Sequence, residues 1–388
     1  MIRRLLENYF GLAVIAALLL FLAPAAANAQ VVVKVNDTVN FRFGLQLQEW
    51  ADWLQDPNSE GYSENLFIRR IRAQILGTFA PGVMVFYQTD NPRVGNAGVD
   101  GNKIINTGFQ TQDALAIWKI CGDPFMLEGG LYLVPTSRNG LTSTASFLSY
   151  DIGQFAIQGN GIMKGTGGRD YGLGVVGWLL DDKLEYRTGV FQGNRNPASP
   201  QVGTTFGPAA GSRNSFRVAG RVMYDFWDSE KQTFTYTYAG TNRGTKKILA
   251  IGGWGDGQDS YKAYGGDFMF DYPIGKDAVT FEFDYNHYEG GNNFPSLTKQ
   301  NDIFTNAGYY FDVVKLQPYA IYQELNNTEE IAKPKNQKRY GGGLNWYVYG
   351  NNLKFSFLYE RIVPKTQPIT ASTKDTNRFS IQLQALYF

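Results

Sequence analysis

Little in this sequence can hold a metal or run a nucleophilic reaction. Among 388 residues there is one cysteine, Cys121, and one histidine, His287. One cysteine forms no intrachain disulfide and no cysteine zinc cluster. One histidine gives a single candidate for any Ser-His or Cys-His pair. Charge is also scarce: 18% of residues are charged, below the usual quarter. The 36 Lys plus Arg and 35 Asp plus Glu leave a formal net charge of +1. That balance lacks the basic face that nucleic-acid binding needs, so no nucleic-acid partner is expected. Gly165-Thr166-Gly167-Gly168 is glycine-rich but no phosphate-loop Lys-Ser/Thr pair follows it, and no cofactor or metal is expected.

Long apolar runs are missing too, except at the start. Residues 1–29 read as a secretory signal peptide, with Arg3 and Arg4, an apolar stretch from Leu12 to Leu22, and the small-x-small site Ala27-Asn28-Ala29. The apolar stretch is shorter than the roughly 20 residues that span a bilayer. A mature chain over 30–388 loses two Arg and one Glu with this segment and carries no net charge. Beyond Ala29 no membrane-length helix is encoded, so entry into a membrane requires a closed barrel.

What is abundant is glycine, tyrosine and period-two patterning. Val39, Phe41, Phe43, Leu45 and Leu47 alternate with polar or small residues. So do Val279, Phe281, Phe283 and Tyr285, and again Leu353, Phe355, Phe357 and Tyr359. The last segment alternates Phe379, Ile381 and Leu383 with polar neighbours, and its apolar face ends at Tyr387. Each is a strand with one apolar and one polar face. Strands are expected at 38–50, 66–80, 82–91, 109–120, 125–134, 169–180, 183–193, 214–227, 246–254, 260–272, 278–289, 301–311, 314–324, 337–349, 352–361 and 376–388. Short and long connections alternate nearly throughout, as in an all-β transmembrane antiparallel barrel with short periplasmic turns and long extracellular loops. A soluble sandwich gives no reason for that asymmetry. The count is sixteen strands. Eighteen is the alternative, because 154–160 and the overlong turn 228–245, with Phe234, Tyr236 and Tyr238, also alternate. Sixteen strands leave an aqueous lumen.

Placing the apolar parity toward lipid turns Arg42, Arg70, Arg72, Arg187, Arg217, Arg221, Lys315, Arg339, Lys354 and Arg378 inward. The inward acids are Glu185, Asp267, Asp271, Glu282, Asp284 and Glu360. The pore-lining bases concentrate on the first, second, seventh and eighth strands, and the acids Asp267, Asp271, Glu282 and Asp284 on the tenth and eleventh. Bases along a pore favour anions, whereas two opposed charged walls suit a nonspecific pore. Residues 135–168 are long enough to fold inward as a constriction carrying Arg138 and Lys164, with Arg169 at the exit. His287 falls on the apolar parity near a strand end, as an interfacial residue would.

Several stretches resemble the phosphate-selective porin O and P family of Gram-negative outer membranes. They are Gly168-Arg169-Asp170-Tyr171-Gly172, Gly177-Trp178, Lys183-Leu184-Glu185-Tyr186-Arg187, Gly189-Val190-Phe191-Gln192-Gly193 and Phe216-Arg217-Val218-Ala219-Gly220-Arg221. Glu128 to Ser149, with Pro135-Thr136-Ser137, looks like that family's strand feeding the third external loop. The resemblance implies a homotrimeric channel in the cell outer membrane, surrounded by its lipid, with basic residues at the constriction. The family's lysine cluster has no residue-by-residue counterpart here, so phosphate specificity is not carried over. The expectation is a porin: passive ion and solute transport for small hydrophilic molecules, mildly favouring anions such as phosphate, and no enzyme. The alternatives are a nonselective pore and a structural or adhesive barrel with an occluded lumen. A lipid hydrolase would need a serine beside His287.

Overall fold

Each strand of this chain pairs with the next until the last meets the first. The computed structural model describes residues 31–59, 61–96, 108–155, 168–194, 215–232, 236–365 and 374–388. Among them, β2 (Asn40–Gln55) through β17 (Thr376–Tyr387) make sixteen antiparallel pairings. The ring closes where Arg378 lies opposite Leu54 and Tyr387 opposite Leu45. A short β1 (Val31–Lys34) precedes the ring in sequence. The sixteen ring strands follow the expected positions closely, so the eighteen-strand alternative is set aside. The expected signal segment, residues 156–160 of the alternating segment 154–160, Phe234 and Lys164 lie outside the described residues.

The period of two explains the two faces. Leu45, Leu127, Leu173, Val218, Ile251, Phe283 and Ile381 are exposed on the outer wall, while Gln46, Gln48, Asp284, Gln382 and Gln384 are buried on the inner one. An apolar band of this extent is a liability in water and is solvated in lipid. Aromatic clusters flank it. Trp227, Phe270 and Tyr272 pack together at one rim, and Tyr62, Tyr359 and Phe379 at the other. Tight connections gather at one end, here the turn end, where Gly82 and Gly275 take positive φ values of 76° and 65°. Cys121 is exposed there. Lys315, expected in the lumen, instead sits in a turn at this end, exposed and paired with Asp312 at 2.5 Å.

Strand β3 (Tyr62–Ala80) departs from strict alternation. Gln48 of β2 pairs with Arg70, but Glu49 pairs with Ile68, so Arg69 is an extra residue. Such a bulge changes which parity faces inward. Below it Arg70 and Arg72 are inside; above it Phe67 is inside; Arg69, between them, joins the lumen side.

Two connections leave the rims and fill part of the lumen. From the loop end, residues 134–155 fold inward, with a single helical turn at Arg138–Leu141. From the turn end, residues 226–232 and 236–247 climb to meet them. This corrects the expectation for 228–245, which is neither a free turn nor a ring strand. Tyr238 N–H donates to Leu141 O at 3.0 Å and Ser143 N–H to Tyr238 O at 2.9 Å, a parallel bridge to the inward loop rather than to the wall. The reason is chemical. The Tyr236 hydroxyl donates to Asp113 and accepts the Leu133 N–H, and the Tyr238 hydroxyl donates to Glu185 at 2.5 Å. Beneath them, Leu115, Ile117, Met126, Met223, Ile248 and Met269 form an apolar floor on the inner face.

Candidate functional site

The inserts do not fill the barrel evenly. They occupy the side of β8 (Leu184–Phe191), β9 (Arg217–Asp225), β10 (Ile248–Gln258), β11 (Tyr261–Ile274) and β12 (Asp277–Glu289). An off-centre cavity of about 1160 Å³ remains along β2, β3, β4 (Val83–Asp90) and the strands β14 (Leu316–Asn327), β15 (Gln337–Asn351), β16 (Leu353–Pro364) and β17. Its lining includes Asp52 and Arg378 toward the loop end, and Asn351 and Phe388 toward the turn end. Phe388 stands on the inward parity, with its ring 6.4 Å from Phe86, which is why the outer apolar face stops at Tyr387.

Among the described residues, seven guanidiniums line this cavity: Arg69, Arg70, Arg72, Arg93, Arg169, Arg339 and Arg378. The lining carboxylates are Asp52, Asp90, Asp151 and Glu360, with Asp113 just behind. Most of these groups are paired. Arg72 holds Asp90 at 3.0 Å, Arg169 holds Asp113 at 2.8 Å, Arg378 holds Asp52 at 2.8 Å, and Arg339 reaches Glu360 at 3.4 Å. Arg69 and Arg70 share Asp151 of the inward loop. Burial opposes ionisation of Asp151, yet the two guanidiniums outweigh it and hold its carboxyl below the usual range.

The other inward charges lie elsewhere. Arg187, Arg217 and Arg221 turn inward as the alternation predicts but do not line the cavity: Tyr238 of the turn-end insert lies over Arg187 and Arg221, and Tyr261 and Phe294 lie over Arg217. Arg217 clamps Asp256, its Nε at 2.7 Å from Oδ1. Arg221 clamps Asp267, with Nη2 at 2.7 Å from Oδ1, and Arg187 pairs with Glu185. Asp271, Glu282 and Asp284 are buried on the same side, and Asp284 accepts the Asn139 N–H at 3.0 Å. The acidic wall expected opposite a basic one is therefore roofed over. The inward loop is the cause: it brings its own Asn139 and Arg138 against these acids.

Arg138 is not a free constriction cation either; it is fully buried and makes a bidentate pair with Glu230 of the turn-end insert. Arg42 is exposed near the turn end, opposite Leu76, away from the cavity lining. Lys354 is buried and donates to Phe147 O at 3.2 Å. His287 hydrogen-bonds Asn301 at 2.6 Å and Glu289 at 3.2 Å and stacks on Tyr264; no serine is among these partners. Sequence reasoning missed Arg69 and Arg93. Arg69 has the wrong parity without the bulge, and Arg93 lies in a connection that alternation does not describe.

No family model and no curated relative match the chain. Solved structures share its fold. An anion-selective porin from Comamonas acidovorans is similar with a TM-score of 0.58 at 10% identity, over 90% of this chain and 100% of that one. Salmonella typhi OmpF in complex with daunomycin gives 0.56 at 12% identity, over 91% and 100%. A loop-deletion mutant of OmpT, an outer membrane protein of Vibrio cholerae, gives 0.52 at 11% identity, over 90% and 100%. At such identities the likeness establishes the porin-type barrel and nothing finer.

Proposed function

We propose that this protein is an outer-membrane porin, a passive diffusion channel for small hydrophilic solutes that favours anions, and not an enzyme. The turn end faces the periplasm and the loop end the exterior. One observation carries the reading: among the described residues the open cavity is lined by seven guanidiniums against five carboxylates, counting Asp113, and by no lysine. Guanidiniums stay protonated at any physiological pH, so the excess is permanent. Because six of the seven are ion-paired, the preference is mild. The resemblance to the phosphate-selective porin O and P family supports anion passage and a homotrimer, and the fold shared with an anion-selective porin agrees. Purified protein added to a planar bilayer should give discrete, ohmic conductance steps. Folded protein that gives none would instead be a structural barrel with an occluded lumen.

A further inference from the structure

The loop-end mouth of the cavity is more than a basic funnel. Trp50, Phe67 and Tyr150 line it, with ring centroids of Phe67 and Tyr150 at 5.7 and 4.5 Å from that of Trp50. Two guanidinium carbons, those of Arg69 and Arg378, stand 5.1 and 5.4 Å from the Trp50 centroid. Both are held beside a carboxylate, Arg378 by Asp52 and Arg69 by the Asp151 that it shares with Arg70. Their flat faces therefore extend the aromatic shelf rather than act as open charges.

Arg93 differs. It lines the same cavity, is exposed, and has no carboxylate partner among the described residues. Its backbone takes a φ of 63°, its N–H donates to Arg69 O at 3.4 Å, and the next residue, Val94, bridges Ile68. Arg93 is thus fastened alongside the β3 segment that carries Phe67 and Arg69. A free guanidinium receives a carboxylate through two parallel hydrogen bonds. The aromatic cluster beside it, whose rings are only 3–7% exposed, offers a solute ring edge contact rather than an open face. A compact, strongly hydrated anion gains only the first of these, and gives up water to gain it.

We propose that this mouth selects arene carboxylates, monovalent anions with a flat apolar body, over compact anions. The proposal rests on the pore reading above and names the solute class. The test is a planar bilayer with dilute KCl and wild-type protein, with benzoate, acetate or inorganic phosphate added on the loop-end side. Two readouts apply: block of the KCl current, and the zero-current potential across a benzoate–acetate gradient. Benzoate should act at about a tenfold lower concentration than acetate or phosphate, a factor worth roughly 1.4 kcal/mol. Phe67→Leu should shrink the benzoate-to-acetate ratio several-fold. Arg93→Gln should weaken both carboxylates together. Each variant is checked for the same heat-modifiable migration as wild type, so a misfolded barrel is recognised before it is scored. Equal action of benzoate and acetate, or a stronger action of phosphate, overturns the proposal while an anion-directed KCl potential leaves the pore reading standing. Absence of any conductance overturns the pore reading and this site with it.

Discussion

Arg69 and Arg70, neighbours in sequence, both grip one carboxylate, that of Asp151: Arg69 through Nε at 3.1 Å and Arg70 through Nη2 at 2.5 Å. Adjacent residues of a regular strand point to opposite faces. The bulge at Arg69 removes that restriction and makes a two-armed anchor for the inward loop.

Asp151→Asn should therefore loosen residues 134–155. Removing one partner of a buried pair costs about 3–5 kcal/mol, and the partial exposure of this site argues for the lower end. The open channel should become noisier, and the zero-current potential should move further toward anions, because a lining carboxylate is lost while two guanidiniums are freed. A move toward cations would contradict the anchor.

The same anchor sets a pH window. Arg69 and Arg70 overcome burial and hold the Asp151 carboxyl below its ordinary value. A depressed carboxyl stabilises the fold above its unfolded pKa of about 4, and that stabilisation is lost as pH falls through the lower folded value. Single-channel conductance and noise should thus stay constant from pH 7 down to pH 5. Loosening that sets in near pH 6 would show that Asp151 is not the anchor.

Position, rather than inward parity, should decide which arginines matter for selectivity. Replacing Arg70 and Arg72 with Gln should shift the zero-current potential toward cations, and more so in dilute salt than at physiological ionic strength, where screening acts over about 8 Å. Arg217→Gln should leave selectivity nearly untouched, since Arg217 is fully buried against Asp256. It should lower the unfolding temperature instead, because Asp256 keeps a buried, unpaired charge. Selectivity that responds equally to both substitutions would place the ion path along the wrong wall.

The Arg138–Glu230 pair ties the two inserts to each other. Arg138→Met strands a buried carboxylate, at a cost of about 3–5 kcal/mol. Conductance should rise as residues 226–247 disengage, and the heat-modifiable form should unfold at a lower temperature. Adding Glu230→Gln should recover much of the stability. A double variant as unstable as the single one would show that the pair is not what holds the inserts together.

Most of the barrel is legible in the sequence because lipid outside and polar residues inside impose a period of two, as in Phe281, Phe283 and Tyr285 against Glu282 and Asp284. The inserts are less legible. Their trace is on the wall beneath them: Leu115, Ile117, Met126, Met223, Ile248 and Met269 are apolar on the inward parity, which a wet lumen does not explain. They form a floor on which Tyr236 and Tyr238 dock. The tyrosines at 236 and 238 do alternate like a strand, but the backbone of Tyr238 pairs with the loop rather than the ring. Bulges leave no comparable trace, so Arg69 could not be placed by parity. The ion pairs of Arg187, Arg217 and Arg221 all join wall residues, Glu185, Asp256 and Asp267, and the two that cross strands depend on a register that spacing does not encode.

Ions are expected to cross through the arginine-lined, off-centre cavity, with anions favoured. The most direct measurement is the zero-current potential of the wild-type protein across a tenfold KCl gradient in a planar bilayer, repeated from dilute to concentrated salt. The expected potential has the sign set by chloride, is modest in size and shrinks as salt rises. A potential of zero or of the sign set by potassium in dilute salt would contradict it.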